Sequence, residues 1–297
     1  MRWRSMLASL GHSARVATGV VSGGYDVLVA LHALKSAEAV RRSRDEHPDR
    51  SIVVALTGTD LYHDIGVSPK ARRSLELADR LVVLHDRAAT NVPPLLRHKI
   101  RVIRQSAERV AGRPPRRSRS FDVALVAHLR PEKDPLRAAI AARMLSPSSR
   151  VRIVHAGRSL SAELDVRARQ EQSNNPRYQW LGEVSPSRAR HLIAGARLLV
   201  LTSVSEGGAN VLGEAVVSGT PVLATRIPAA LSALGQDYEG LFRVGDARAL
   251  ARLLSRAEND RDFLRTLTTQ TRARRALFAH SVERAAWRAL LRELCPG

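Results

Sequence analysis

The sequence predicts an α/β protein built from two domains with parallel sheets, and three observations carry that expectation. Short apolar runs rich in Val, Leu and Ile alternate with stretches of helical spacing along almost the whole chain. The alternation falls into two series, separated by the polar segment 112–120, GRPPRRSRS. At 297 residues the chain is long enough for two domains of ordinary size, each with its own core.

Helical spacing comes first. Arg2, Trp3, Met6, Leu7 and Leu10 follow it, and Gly11 and His12 end it. In the first series, residues 14–18, 26–31, 51–56 and 80–84 are expected as short buried strands, with helices over 33–44 and 69–77 and a closing strand over 101–105. The stretch 112–120 has two prolines and no apolar face, the composition of a linker. The second series places strands at 121–127, 150–155, 177–181, 198–202 and 221–224, and helices at 135–145, 162–172, 188–194 and 247–257. Residues 281–294 carry Val282, Ala285, Ala286, Ala289, Leu290 and Leu294 at the spacing of an amphipathic helix. Strands alternating with helices imply parallel sheets joined by right-handed crossovers, hence two Rossmann-like domains. The expected division is 1–112, 121–280 and a terminal helix 281–297. Such a domain ordinarily opens on a strand leading through a glycine loop into its first helix. This sequence opens inside the helix, so the first strand is expected to be missing, through a misassigned start codon, truncation or degeneration.

Composition narrows the class. Hydrophobic residues make up 44% of the chain, which is globular. The apolar runs fall short of the roughly 20 residues that a membrane span needs. The N-terminus has basic residues but no sustained apolar core of a signal peptide. The single cysteine, Cys295, excludes an internal disulfide framework and fits a reducing cytoplasm. The net charge of +20 invites a nucleic-acid partner, but only four of the 48 basic residues are lysine and the arginines are scattered. Aromatics for stacking bases are 4%. Neither a nucleic acid nor a membrane is expected as a partner, although the charge would attract anionic small substrates and acidic lipid surfaces.

Residues 203–224 read SVSEGGANVLGEAVVSGTPVLA. An apolar strand precedes a glycine pair, Gly207 and Gly208, and a helical run begins at Asn210. The first N–H groups of a helix lack internal partners and the helix dipole favours an anion there, so this order of elements suits phosphate. Glu206 and Glu214 stand on either side, and carboxylates suit hydroxyl groups. A ligand carrying both is a nucleotide-sugar. The segment resembles the E-x7-E signature of GT-B glycosyltransferases, down to the following Gly219, Thr220, Pro221 and Val222. The resemblance implies that Glu206 contacts the donor sugar and Glu214 the ribose hydroxyls. The diphosphate then rests on the amides of Gly207, Gly208, Ala209, Asn210 and Val211. It also implies two Rossmann-like domains facing a cleft, with the terminal helix packed back on the first.

Other segments fit the same family with departures. VAHLRPEKD, 126–134, resembles its G-R-L-x-P-E-K-G element, whose cations neutralise the donor diphosphate. Lys133 matches, His128 stands at the arginine position, Ala127 replaces the glycine, and Arg130 is expected to supply the second charge. Thr57, Gly58, Thr59 and Asp60 occupy the place of a His-Gly-x-Asp element, with Thr57 where the family keeps histidine. His32, just past a strand, matches a histidine that touches the donor sugar. Asp60, His32 and Thr57 are therefore the expected catalytic residues, against the plainer reading of Asp60 as a helix cap and His32 as a satisfied strand-end histidine.

Taken together, LVALHALKSA, VALTGTDLYHDI, HLRPEKDP, LTSVSEGGANVLGEA and the terminal ERAAWRALL resemble one subgroup, the selenosugar synthases of selenoneine biosynthesis. That resemblance implies transfer of a sugar from UDP-N-acetylglucosamine to selenophosphate, giving a 1-seleno sugar, UDP and phosphate. No Asp-x-Asp motif stands in a suitable place and no His/Cys cluster is evident, so a metal-independent reaction without a cofactor is expected. Two alternatives stay open: a GT-B glycosyltransferase with a hydroxyl acceptor, and an inactive nucleotide-sugar-binding homologue.

Overall fold

The computed structural model describes residues 2–21, 23–112 and 120–295, so most of the expected linker lies outside the described residues. In chain order the elements are α1 (Arg2–Ser9), β1 (Val27–Leu31), α2 (Ala37–Glu46), β2 (Ser51–Leu56), a π-helical turn (Asp60–Asp64), α3 (Ile65–Val67), α4 (Pro69–Leu77), β3 (Arg80–Val83) and β4 (Ile100–Val102). There follow β5 (Phe121–Val126), α5 (Arg137–Arg143), β6 (Val151–Ala156), α6 (Ala162–Asn174), β7 (Tyr178–Trp180), α7 (Pro186–Gly195) and β8 (Leu198–Leu201). The chain ends with α8 (Asn210–Ser218), β9 (Val222–Thr225), α9 (Pro228–Leu234), β10 (Leu241–Phe242), α10 (Ala247–Asn259), α11 (Arg261–Ala273) and α12 (His280–Leu294).

Two compact units result. One comprises Met1–Ser106, Glu206–Gly208 and Ala279–Gly297, and the other Ala107–Ser205 and Ala209–Phe278. The first holds a four-stranded sheet in the order β1-β2-β3-β4, every pair parallel. Its central strands β2 and β3 are apolar after their first residues, because both faces are covered there. Ile52, Val54 and Leu56 point into one cluster with Val40, Ala71 and Leu75 of α2 and α4. The alternate residues Val53 and Ala55 join Met6 of α1 and Trp287 and Leu290 of α12 on the other face. Trp3 and Trp287 meet edge to face with centroids 4.9 Å apart. The buried Glu283 of α12 accepts hydrogen bonds from Trp3 Nε1 at 3.1 Å, Ser106 N at 2.8 Å and the Arg2 guanidinium at 2.6 Å.

The second unit holds six parallel strands in the order β10-β9-β8-β5-β6-β7. This is a doubly wound sheet whose order reverses between β5 and β8, and such a reversal leaves a crevice beyond the carboxyl ends of the two strands. The chain is thus α/β with two sheets of parallel strands, as its alternating pattern predicts.

Some expected elements differ. Residues 14–18 form no strand, since Val16 and its neighbours are exposed and no partner strand covers them. The helix expected from residue 33 starts at Ala37, because His32 takes a left-handed φ of 75° and the chain turns before it can wind. The helices α9 and α11 were not anticipated, although Pro228 opens the first and the Asp260 side chain caps the second by accepting from Asp262 N and Phe263 N.

His155, on β6, is buried: its Nε2–H donates to Ala127 O at 2.8 Å and Tyr178 O–H donates to its Nδ1 at 2.7 Å. Burial lowers its pKa from 6.5 to about 4. The unfolded chain therefore takes up this proton first, and the group's contribution is complete above about pH 6.5 and lost as pH falls towards 4. Stability is predicted to drop by on the order of 3 kcal/mol over that window. His155→Gln should flatten the fall; chemical denaturation at pH 7 and pH 4.5 checks it, and an unchanged slope contradicts it.

Candidate functional site

In the second unit the loops after β5 and β8 meet at the point of strand-order reversal. Val204 N donates to Glu132 O at 2.9 Å, and Thr202 Oγ1 donates to Lys133 O at 3.0 Å. These two bonds latch the turn Pro131–Lys133 to the segment leading into α8. Asp134 ends that turn in the left-handed conformation, φ 41°, and pairs with Arg137 at 2.8 Å. Arg130 Nε lies 2.8 Å from Glu132 Oε1, so its charge is paired within the loop. His128 does not replace the family's arginine as a cation. Its Nδ1 accepts from Arg158 N at 3.1 Å, and partial burial, then the Arg158 charge, lowers its pKa and keeps the ring neutral. Lys133 is the residue of this loop that meets the family pattern.

Beyond the latch, α8 begins without a side-chain cap. Its N-cap residue, Ala209, is left-handed at φ 45°, ψ 57° and has no oxygen to offer the following amides. Asn210 and Val211 begin the first turn, which contains no acidic residue, and Glu214 lies one turn further on. An uncapped helix start of this kind presents N–H groups and the positive end of the dipole.

The first unit contains the other expected residues, and a buried side chain organises them. Asp60 has no exposed surface; its Oδ1 accepts from Gly58 N at 2.8 Å and Thr57 N at 3.1 Å, and its Oδ2 from Ala33 N at 3.0 Å. One carboxyl group thereby ties the chain leaving β1 to the chain leaving β2. Buried and engaged on both oxygens, Asp60 holds its neighbours in place. His32 sits on this tie in a backbone region that is strained for any residue but glycine. Its Nε2 is 3.0 Å from Thr59 Oγ1 and 3.7 Å from Asp64 Oδ2, and its Nδ1 is 4.0 Å from Asp60 Oδ2. The π-helical turn brings both aspartates to the imidazole, and such turns occur frequently at functional positions.

Glu206, Gly207 and Gly208 cluster with this unit. A Cβ on Gly207 would run into the carbonyl of Thr57, and one on Gly208 would stand 2.7 Å from the Leu84 side chain. Gly207 is required because backbone meets backbone there, and Gly208 because the Leu84 side chain packs against it. Glu206 lies beside Tyr62 and His85. Burial, reinforced by the Glu206 charge, raises the Tyr62 pKa to about 12. Burial, then the Arg104 charge, lowers that of His85 to about 4.

His32, Thr57 and Asp60 therefore lie in one unit with Glu206, Gly207 and Gly208, whereas Arg130, Lys133, Ala209, Asn210, Val211 and Glu214 belong to the other. The sequence reading missed Asp64, Tyr62 and His85. Tyr62 and Asp64 were within the quoted TGTDLYHDI run, and His85 follows β3 as His32 follows β1, which was the available signal. Among the described residues no cluster of His, Cys, Asp and Glu could hold a metal ion, and no helix is long and apolar enough to cross a membrane.

The two parallel sheets and the uncapped helix after a glycine pair define a GT-B-type α/β protein. Residues 108–274, more than half of the chain, match the glycosyl transferases group 1 family, and the chain belongs to it. No curated protein matches it in sequence. Among solved structures it resembles Anabaena Alr3699/HepE in complex with UDP, with a TM-score of 0.75 and 18% identity over 91% of this chain and 79% of that one. Sucrose-phosphate synthase from Thermosynechococcus elongatus gives a TM-score of 0.71 and 18% identity over 98% and 76%. The E. coli trehalose-6-phosphate structure bound with UDP-2-fluoro glucose gives 0.71 and 12% over 90% and 72%. At these identities the likeness establishes the GT-B fold.

Asp60→Asn replaces one accepting oxygen by a donor opposite backbone N–H groups. It is predicted to destabilise the fold by about 1–3 kcal/mol, read by urea unfolding, and a variant as stable as the parent removes Asp60 from its tying role.

Proposed function

We propose that this group 1 glycosyltransferase takes its sugar from UDP-N-acetylglucosamine and passes it to selenophosphate. The observation that carries the donor half is the amino end of α8, uncapped behind a glycine pair and flanked by Glu206 and Glu214. Its amides and dipole suit the diphosphate, Lys133 adds a cation from a loop latched to the same segment, and the two glutamates suit sugar and ribose hydroxyls. That HepE is solved with UDP agrees with this donor class. In the reaction the selenium attacks the anomeric carbon as the bond from that carbon to the UDP oxygen breaks, and UDP leaves with the electron pair. Water then cleaves the selenium–phosphorus bond to release phosphate. Positive charge at the anomeric carbon and negative charge on the departing diphosphate both develop in the transition state, and oriented amides with a nearby cation stabilise the latter.

The acceptor half rests on the TGTDLY and EGGANV pair and on Thr57 at the histidine position. An anionic selenium nucleophile has less need of a general base than a sugar hydroxyl. A hydroxyl acceptor is the second reading, favoured by the His32 imidazole held within 3.7 Å of Asp64, an arrangement suited to accepting a proton.

Two predictions separate these claims. Lys133→Ala and Glu214→Ala should each weaken UDP binding by about 1–3 kcal/mol in calorimetry, and unchanged affinity removes the donor site. Release of UDP from UDP-N-acetylglucosamine should depend on selenophosphate and survive Thr57→His largely intact. Release driven by a hydroxyl acceptor alone, or collapse in the Thr57→His variant, rules out the selenium reading.

A further inference from the structure

Where the chain leaves β1, the buried His32 has both ring nitrogens engaged. Lys35 N donates to Nδ1 at 3.4 Å, so the ring proton sits on Nε2. From there Nε2–H donates to Thr59 Oγ1 at 3.0 Å. A hydroxyl group offers two acceptor sites and one donor, so Thr59, having accepted, still has its own proton to give. Thr59 stands at the N-cap of the π-helical turn, yet its side chain accepts from none of the amides that follow. The residue is exposed, and a ligand can reach it. Asp64, at the far end of the turn, returns to the same imidazole nitrogen. Its Oδ2 lies 3.7 Å from His32 Nε2, while its Oδ1 is 3.1 Å from His63 Nδ1. No hydrogen bond joins Thr59 to Asp64 among the described residues. Around one nitrogen the turn therefore sets out an O–H donor and a carboxylate acceptor. A phosphate would meet repulsion from that carboxylate, whereas a ligand hydroxyl satisfies both groups, its oxygen accepting from Thr59 and its proton going to Asp64.

We infer that Thr59 and Asp64 are specificity-determining residues that receive one hydroxyl group of the transferred sugar, and that His32 is the positioning residue that aims the Thr59 hydroxyl. The inference rests on the donor reading above, which assigns Glu206 to the same sugar. Glu206 and these three residues belong to one unit, and their backbones touch. Gly207, next to Glu206, is seated on the peptide between Thr57 and Gly58, where a Cβ would stand 2.7 Å from Gly58 N, one residue before Thr59. In N-acetylglucosamine position 2 carries the amide, so the hydroxyl is the one at position 3, 4 or 6. The left-handed φ of 75° at His32 gains a purpose, because strain of this kind persists where a side chain must be held at one place.

Calorimetry on the full chain with UDP, UDP-N-acetylglucosamine and its 3-, 4- and 6-deoxy analogues tests it. Thr59→Val should raise the Kd for the UDP-sugar about tenfold and leave that for UDP within about twofold, as for one lost hydrogen bond. Thr59→Ser, which keeps the hydroxyl, should bind as the parent does. One of the three deoxy analogues should bind the parent about tenfold more weakly and lose nothing further in Thr59→Val or Asp64→Ala. His32→Asn removes the imidazole but tolerates a left-handed backbone, and it should show the same indifference to that one analogue. A role confined to folding would weaken UDP and every analogue alike. Equal loss for UDP and the UDP-sugar, Thr59→Ser as poor as Thr59→Val, or further loss with all three analogues each overturn the inference while the donor reading stands. A parent protein that binds neither UDP nor the UDP-sugar overturns both.

Discussion

The first unit depends on a carboxyl group that water never reaches. Asp60 accepts from Ala33, Thr57 and Gly58, amides that would otherwise be buried donors at the ends of two strands. Leaving such donors unpaired costs more than the bonds themselves contribute, so the arrangement is all or nothing. Its consequences spread outward. With Thr57 fixed, its carbonyl becomes the floor for Gly207; with Ala33 fixed, His32 is held at φ 75° against its own preference. Strain of this kind persists where the surroundings over-determine the backbone.

The second unit solves a different problem by similar means. The doubly wound sheet alone places two loops side by side beyond β5 and β8 but does not fix their separation. The bonds from Val204 to Glu132 and from Thr202 to Lys133 do. Three of the four atoms in these two bonds are backbone, so the latch tolerates changes in side chain at 132, 133 and 204. The carbonyl of Lys133 thus serves the structure. The charge of the loop is also less than its composition suggests, because the Arg130–Glu132 pair is internally neutral.

What could be read in the sequence follows from where the information lies. Strands buried on both faces appear as largely apolar runs, so β2, β3, β5, β6 and β8 were legible. Residues 14–18 look similar but lack a covering partner, a fact no local window contains. The late start of α2 depends on a positive φ at a histidine, which propensity alone would not assign. In the site, Glu206, Glu214 and the glycine pair form a local pattern and were legible as one. Tyr62 and His85 are 23 positions apart and meet only because a π-helical turn, instead of an α-helical one, carries the phenol to the end of β3. The Arg130–Glu132 pair was hidden for the opposite reason: the partner is two residues away, but only the bent loop brings the groups together.

Thr57 shows how the two levels combine. Its amide is held by Asp60 and its carbonyl supports Gly207, so the backbone at this position is fully used whatever side chain it bears. Under the proposed function, a hydroxyl acceptor must lose a proton as it attacks and gains from a base at this point. Selenophosphate arrives already anionic, and a neutral hydroxyl side chain adds neither repulsion nor a competing charge.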